Sequence, residues 1–294
     1  MSDESDDRRV DYTPLWYWIS EREAIRQRKE RGEPPPWTTD PILRDYRFCC
    51  VRREDDRVTR WVREHVRDRF VGHPYLWLML CLCRQVNWPD TLAELISTPG
   101  AWPLDETGFR PDVLARTLSD RRDQGKKVYT GAYLIPAPRT RGADKQDYIG
   151  RIVIGDLWRR RDEFVDWTSA TLEGTHARIT RSTGWGDFLA YQAVVDMRFT
   201  PLLSGAPDVA SWAAAGPGTI RGLNRLHGRP IGAALSQPRA RAEMRVLYAI
   251  VEQETGVALD FSDVPNVLCE LDKHQRVKLE QGRPRARYVP GRGA

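Results

Sequence analysis

The chain has 294 residues, 40% apolar and 30% charged, which is enough for one large or two small domains around a real core. Its net charge of +5 and pI near 9.0 are a mild bias toward polyanionic partners. No apolar run is long enough for a membrane-spanning helix, which excludes an integral helical membrane protein.

Forty of the forty-six basic residues are Arg, a bias that fits GC-rich coding and also phosphate recognition, where the planar Arg fork outperforms Lys. Five cysteines fall as Cys49-Cys50, Cys81-x-Cys83 and Cys269. An odd number with no secretory leader predicts reduced thiols in a cytoplasmic protein, and none of these spacings is a zinc signature.

Residues 1–12 are charged and lack a core pattern, so a disordered start is expected. Thr13-Pro14 opens a helix that Gly32 ends, followed by a rigid PPPWTTDP segment holding Trp37 and Asp40. A basic-aromatic block, DYRFCCVRREDD, leads into an amphipathic helix, DDRVTRWVREHVRDRF, and contributes Arg47 and Arg53. YLWLMLCLCRQV is almost wholly apolar and is read as a central core helix. Shorter helices follow in TLAELIST and after Pro111. Residues 127–135, KVYTGAYLI, are the best strand candidate and include Tyr133. Helical periodicity returns over 150–179, then in QPRARAEMRVLYAIVEQETG and NVLCELDKHQRVKLEQG, the last capped by Asp263. These elements predict a mostly α-helical single domain over 13–279, with at most one small strand pair and a basic tail over 280–294.

Residues 184–228 attract the most attention. FLAYQAVVDMRFTPLL carries one acid, Asp196, into an otherwise apolar face, with Gln192 one turn earlier. An acid there is costly to bury alone, so two readings stand: a structural pair with Arg198 or Arg181, or a functional base. The Gly216-Pro217-Gly218 turn stands where one helix, ending over 213–216, would meet another over 219–226. That is the layout of a helix-hairpin-helix, whose backbone N–H groups hold a DNA phosphate, with Arg221 and Arg225 close by. The run from Thr219 to Arg241 contains neither acid nor Lys, which counts against base excision, where the catalytic acid follows the hairpin. Glu270, Asp272 and Lys273 read first as an ordinary helical charge cluster. There is no GxxxxGK[ST] phosphate loop in the sequence.

Five blocks taken together carry a resemblance: EREAIRQRKERGEPPPWTTDPIL, YRFCCVRREDDRVT, GWGDFLAYQAVVD, GPGTIRGL and LCELDK. From about Trp16 to Lys278 the chain resembles the alpha-glutamyl/putrescinyl thymine pyrophosphorylase family, also met as the helical domain of phage 5-hydroxymethyluracil DNA kinases. It departs from that family at Cys49-Cys50, where many relatives carry Thr-Asn, and at His274, where an aromatic is expected. The resemblance implies a helix-hairpin-helix, DNA-glycosylase-like helical fold. It also implies an enzyme that displaces pyrophosphate from 5-(pyrophosphoryloxymethyl)uracil in double-stranded DNA with an amino acid or polyamine.

On that reading Trp37 or Tyr133 holds the flipped base, and Arg22, Arg47, Arg53 and Lys273 neutralise the pyrophosphate. Asp196 takes a proton from the donor, Gln192 bonds the base edge, and Asp40 and Asp272 complete the substrate site. Gly216, Pro217, Gly218, Arg221 and Arg225 grip the strand. No metal or organic cofactor is required. The P-loop kinase half that some relatives carry is missing from these blocks, which favours the transferase role. The alternatives are a non-catalytic DNA-binding module and a glycosylase acting on a modified base.

Overall fold

The computed structural model describes residues 10–131, 144–284 and 287–288. In chain order its helices are α1 (Thr13–Glu30), α2 (Pro41–Asp45), α3 (Arg57–Val62), α4 (Leu76–Val86), α5 (Pro89–Ser97), α6 (Pro111–Asp123) and α7 (Lys145–Asp147). They continue with α8 (Gly155–Arg159), α9 (Leu172–Thr180), α10 (Asp187–Arg198), α11 (Pro217–Leu226), α12 (Gln237–Thr255) and α13 (Val264–Lys278). The fold is all-α among the described residues, where a single isolated antiparallel bridge between Tyr46 and Arg287 is the nearest thing to a sheet.

Local sequence explains most of the boundaries. Pro stands in the first turn of α1, α2, α5, α6, α11, α12 and α13. There its fixed φ suits the helix, and its missing N–H would have had no partner. Stops are equally local: Asn87 (φ 48°) ends α4 and Gly256 (φ 68°) ends α12, both in the left-handed region.

The chain forms two compact units. One combines the described parts of Met1–Asp56 and Ala210–Ala294; the other is Arg57–Val209, inserted into it. The inserted unit is built on α4, all eleven residues of which are buried, with α10 packed along it. Trp77 of α4 stacks on Phe164 with ring centroids 4.0 Å apart. The other unit is built on α13, flanked by α11, α1 and α12.

Some expectations change. The strand candidate over 127–135 is not a strand in its described part. The Lys127 and Val128 carbonyls accept bonds from the side chains of Arg121 and Thr91 rather than from a partner strand; Tyr133 lies outside the described residues. DDRVTRWVREHVRDRF is helical only from Arg57 and widens into a π-turn over Arg63–Arg67. Of the expected disordered start, residues 10–12 are described, and the Asp11 N–H donates to the Leu226 carbonyl at 2.9 Å.

The helix expected to end over 213–216 is absent: the chain runs in turns through Ser211 and is irregular to Gly216. Only α11, the second half of the expected hairpin, forms, and it starts two residues early at Pro217. What holds α11 is contact with α13. A Cβ added at Gly222 would lie 2.3 Å from the Leu268 carbonyl oxygen, and one at Gly218 would lie 2.4 Å from Cys269 Sγ. The two backbones approach that closely because these positions lack a side chain.

Gly222→Ala should therefore destabilise the protein by about 1–3 kcal/mol in a urea titration, because the clash is with fixed backbone. Gly216→Ala, with nothing within 4 Å of the new methyl group, should leave the midpoint unchanged.

Candidate functional site

The residues marked out by the sequence divide between the two units. Arg22, Trp37, Asp40, Arg47, Arg53, Asp272, Lys273 and the whole α11 group belong to the unit built on α13, whereas Asp196 and Gln192 belong to the inserted unit.

Helix α13 and the turn before it present a polar stripe to the extended segment after α2. Asp263 accepts the Arg53 N–H at 2.8 Å, Asn266 donates to the Cys50 carbonyl at 3.0 Å, and Glu270 accepts the Cys49 N–H at 3.0 Å. The spacing of three and four residues keeps all three on one face, so side chains supply the bonds a neighbouring strand would otherwise supply. Asp263 had been expected to cap α13. Instead it serves this segment and the Asp260 N–H. The signal in the sequence for this role of Asp263, Asn266 and Glu270 is polar residues recurring at helical spacing.

Arg22 of α1 braces the same segment, donating from Nε to the Cys49 carbonyl at 2.9 Å and from Nη2 toward Cys50 Sγ at 3.6 Å. Its Nη1 is buried without an acceptor, and so is Nε of Arg53. Lys273 lies 3.0 Å from Glu270 and 4.6 Å from the centroid of the Phe48 ring. Arg47 is exposed on the same segment. Cationic groups with buried, unused N–H donors are an unfinished hydrogen-bond account, and an anion would complete it.

Asp40 has a structural task. Its Oδ1 accepts the N–H groups of Ile42 and Leu43 and so caps α2, while Oδ2 accepts from Tyr17 at 2.9 Å and pairs with His274 Nε2 at 3.0 Å. Burial pushes its carboxyl up, but the bonds from His274, Leu43 N–H and Tyr17 together hold it well below the usual carboxylate range. Burial and the bond to Asp40 raise the Tyr17 phenol to about 12. Trp37 is engaged as well. Lys29 Nζ sits 4.5 Å from its ring centroid and 4.4 Å from that of Tyr288, and the indole N–H donates to the Glu33 carbonyl.

On its other side α13 fixes the two α11 arginines. Both oxygens of the buried Asp272 are used: Oδ2 by Arg221 Nε at 2.8 Å and Oδ1 by Arg225 Nε at 2.9 Å. Arg225 is 8% exposed and also bonds Gln281, whereas Arg221 keeps 39% of its side chain in solvent. Asp272 therefore orients cations rather than facing a ligand itself.

Asp196 is 1% exposed, and both of its oxygens accept from Arg84. Arg84 also reaches Asn87 and Thr59. The partner expected from sequence, Arg198 or Arg181, is corrected to Arg84. A carboxylate gripped at both oxygens by one buried guanidinium has the geometry of a structural pair, which argues against the proton-accepting role expected for it. Gln192, one turn earlier, is buried too.

Removing one partner leaves the other charge buried and alone. Asp196→Ala should cost about 3–5 kcal/mol in chemical denaturation. Asp263 gives a pH signature: burial raises its carboxyl to about 6 despite bonds from the Arg53 and Asp260 N–H groups. A raised acid binds its proton more tightly folded than unfolded, so its contribution to stability grows as pH falls from about 6 to about 4. Asp40, held low, runs the other way, contributing stability above about 4 that is lost on acidification. In urea titrations across pH, wild type should gain on Asp263→Asn between about pH 6 and 4; a pH-independent difference would contradict this assignment.

Residues 10–283 match the family described as "5-hmdU DNA kinase, helical domain". A curated relative, the 5-hmdU DNA kinase of Bacillus phage SP10, is 26% identical over 233 residues, which is 71% of this chain and 36% of the relative. The chain thus spans little more than a third of the length of the curated relative it matches. No solved structure matches. With the family match covering nearly every described element, this chain belongs to the family of 5-hmdU DNA kinase helical domains.

Proposed function

We propose that this protein acts in thymine hypermodification of DNA, displacing pyrophosphate from 5-(pyrophosphoryloxymethyl)uracil with an amine donor. The observation that carries this reading is the gathering of Arg22, Arg47, Arg53 and Lys273 around one segment of the unit built on α13, with buried N–H donors of Arg22 and Arg53 unused. A kinase relative named for 5-hmdU DNA supports the substrate class. The reaction balances simply: the amine nitrogen bonds to the exocyclic methylene carbon, and the C–O bond breaks. Pyrophosphate leaves with the electron pair, and one proton is lost from the ammonium donor.

In this assignment Arg22, Arg53, Arg47 and Lys273 stabilise the negative charge gathering on the leaving group. Arg22 and Arg53 are the strongest members of the set, since each already buries a donor without an acceptor. Glu270, beside the Lys273 ammonium, is the carboxylate to which we give the proton of the donor. The N-terminus of α11 at Gly216-Pro217-Gly218, with the solvent-facing Arg221, holds a backbone phosphate, and Arg225 and Asp272 keep Arg221 in place. Trp37 or Tyr133 is assigned to the extruded base.

The test is incubation with DNA carrying the pyrophosphorylated base and a panel of amines, followed by nucleoside mass spectrometry and a pyrophosphate assay. A new nucleoside and equimolar pyrophosphate are expected, and Arg22→Ala or Lys273→Ala should lower kcat/KM by about a hundredfold. DNA binding without product for every amine would leave a non-catalytic DNA-binding module instead.

A further inference from the structure

Three of the six lysines in this Arg-rich chain, Lys126, Lys127 and Lys145, lie in the inserted unit, where the segment after α6 runs past the start of α5 and α7. Lys127 Nζ sits 3.5 Å from the centroid of the Trp88 ring, and Lys145 Nζ sits 4.3 Å from that of Tyr129. The segment is fixed to the core. Val128 is buried, its carbonyl accepts from Thr91 Oγ1 at 2.8 Å, and the Lys127 carbonyl accepts from Arg121 Nε at 2.9 Å. On either side of Val128, Lys127 is exposed and Tyr129 half-buried. A lysine stem laid on a ring keeps its ammonium N–H groups for solvent or a ligand. The acids of the same elements do not neutralise these lysines. Arg121 pairs with Asp90 and Glu94, Arg122 with Asp123 and Asp144, Arg116 with Asp112, and Arg151 with Asp147. Only the exposed Asp120 is left without an arginine, and no carboxylate pairs with any of the three lysines among the described residues. Burial lowers the pKa of Lys145, as expected of an ammonium without a counter-ion. The Tyr129 hydroxyl and the Trp88 indole N–H are likewise unused among the described residues.

We infer that this lysine surface of the inserted unit holds the phosphate backbone of a DNA strand. The groups left over here are cations and N–H or O–H donors, so the partner they fit is an anion. A single small anion would occupy one ammonium. Three ammonium groups on a rigid frame instead match an anion whose charges repeat, as phosphates do along a strand. Lysine is a compact point charge and meets a phosphodiester oxygen without the bidentate geometry that Arg supplies. Contacts of this kind position a strand and carry no sequence information. None of these residues belongs to the group assigned to the leaving pyrophosphate or to the α11 phosphate, so the inserted unit has a strand contact of its own. The inference rests on the thymine-hypermodification reading for the choice of DNA as the polyanion, and not for the anionic character of the partner.

The experiment is fluorescence-anisotropy titration of the full chain with a labelled, unmodified DNA duplex over a range of NaCl concentrations. It is repeated on Lys127→Gln, Lys145→Gln, the double variant and Arg116→Gln, which removes one positive charge from the outer face of α6. Each lysine variant is expected to weaken binding by about fivefold at low salt. Each should also lower the slope of log K against log salt by about 0.9, and the double variant by about 1.8. Arg116→Gln should leave the slope unchanged. Both lysines are in no hydrogen bond or ion pair among the described residues, so their variants keep the fold, which circular dichroism checks. Unchanged slopes in the lysine variants, or an equal effect of Arg116→Gln, overturn the inference. So does calorimetric binding of free pyrophosphate that is lost in the lysine variants while duplex binding is kept, which would make this a small-anion site. Lysine-dependent DNA binding in a protein that transfers no amine upholds the surface and removes the transfer reading. Amine transfer with kcat/KM for DNA undiminished in the double variant does the reverse.

Discussion

A carboxylate taken out of water must take its cation with it, and each compact unit has an arrangement built on that constraint. In the inserted unit the pair is Asp196 with Arg84, which joins α10 to α4 and, through Thr59 and Asn87, to α3 and the end of α4. In the other unit Asp272 holds Arg221 and Arg225, tying α11 to α13. Desolvating such ions costs several kcal/mol each, so their value lies less in net stability than in allowing only one arrangement of the helices that carry them. The rest of the packing follows. Helix α11 sits close enough to α13 that Gly218 and Gly222 can carry no side chain without displacement.

The same accounting separates groups that are finished from groups that are not. Asp196, Asp272 and Asp40 have their oxygens occupied and serve as internal struts, however suggestive an acid in an apolar helix looks. Arg22 and Arg53 each retain a buried donor with nothing to receive it, as does Arg161 in the other unit. Native proteins satisfy most buried polar groups, and buried atoms of Gln85, Trp102 and Arg276 also lack a partner among the described residues, so it is the position of Arg22 and Arg53 beside the segment over 47–53 that singles them out. The proposed leaving-group site is drawn from that position and these unused donors.

Some of this was legible in the chain itself. Pro in the first turn and Gly or Asn past the last turn marked helix ends locally, since both act through the φ of their own residue. The unbroken apolar run of α4 had to be core. Arg22, Arg53 and Lys273 came from the quoted blocks and do lie together around the segment over 47–53. By contrast, β-branched and aromatic residues over 127–135 suggest a strand because propensity is indifferent to whether a partner exists, and in the described part Arg121 and Thr91 side chains take the Lys127 and Val128 carbonyls instead.

What the sequence determined by itself is therefore the mostly α-helical class and most helix boundaries, because those properties belong to single residues and their near neighbours. What only the tertiary structure decided is partnership. That Asp196 answers to Arg84, 112 positions away, and that Asp272 fixes two α11 arginines are facts of long-range packing. So is the α13 stripe that bonds the segment after α2. Spacing along the chain carries no information about which buried charge another helix will bring to meet it.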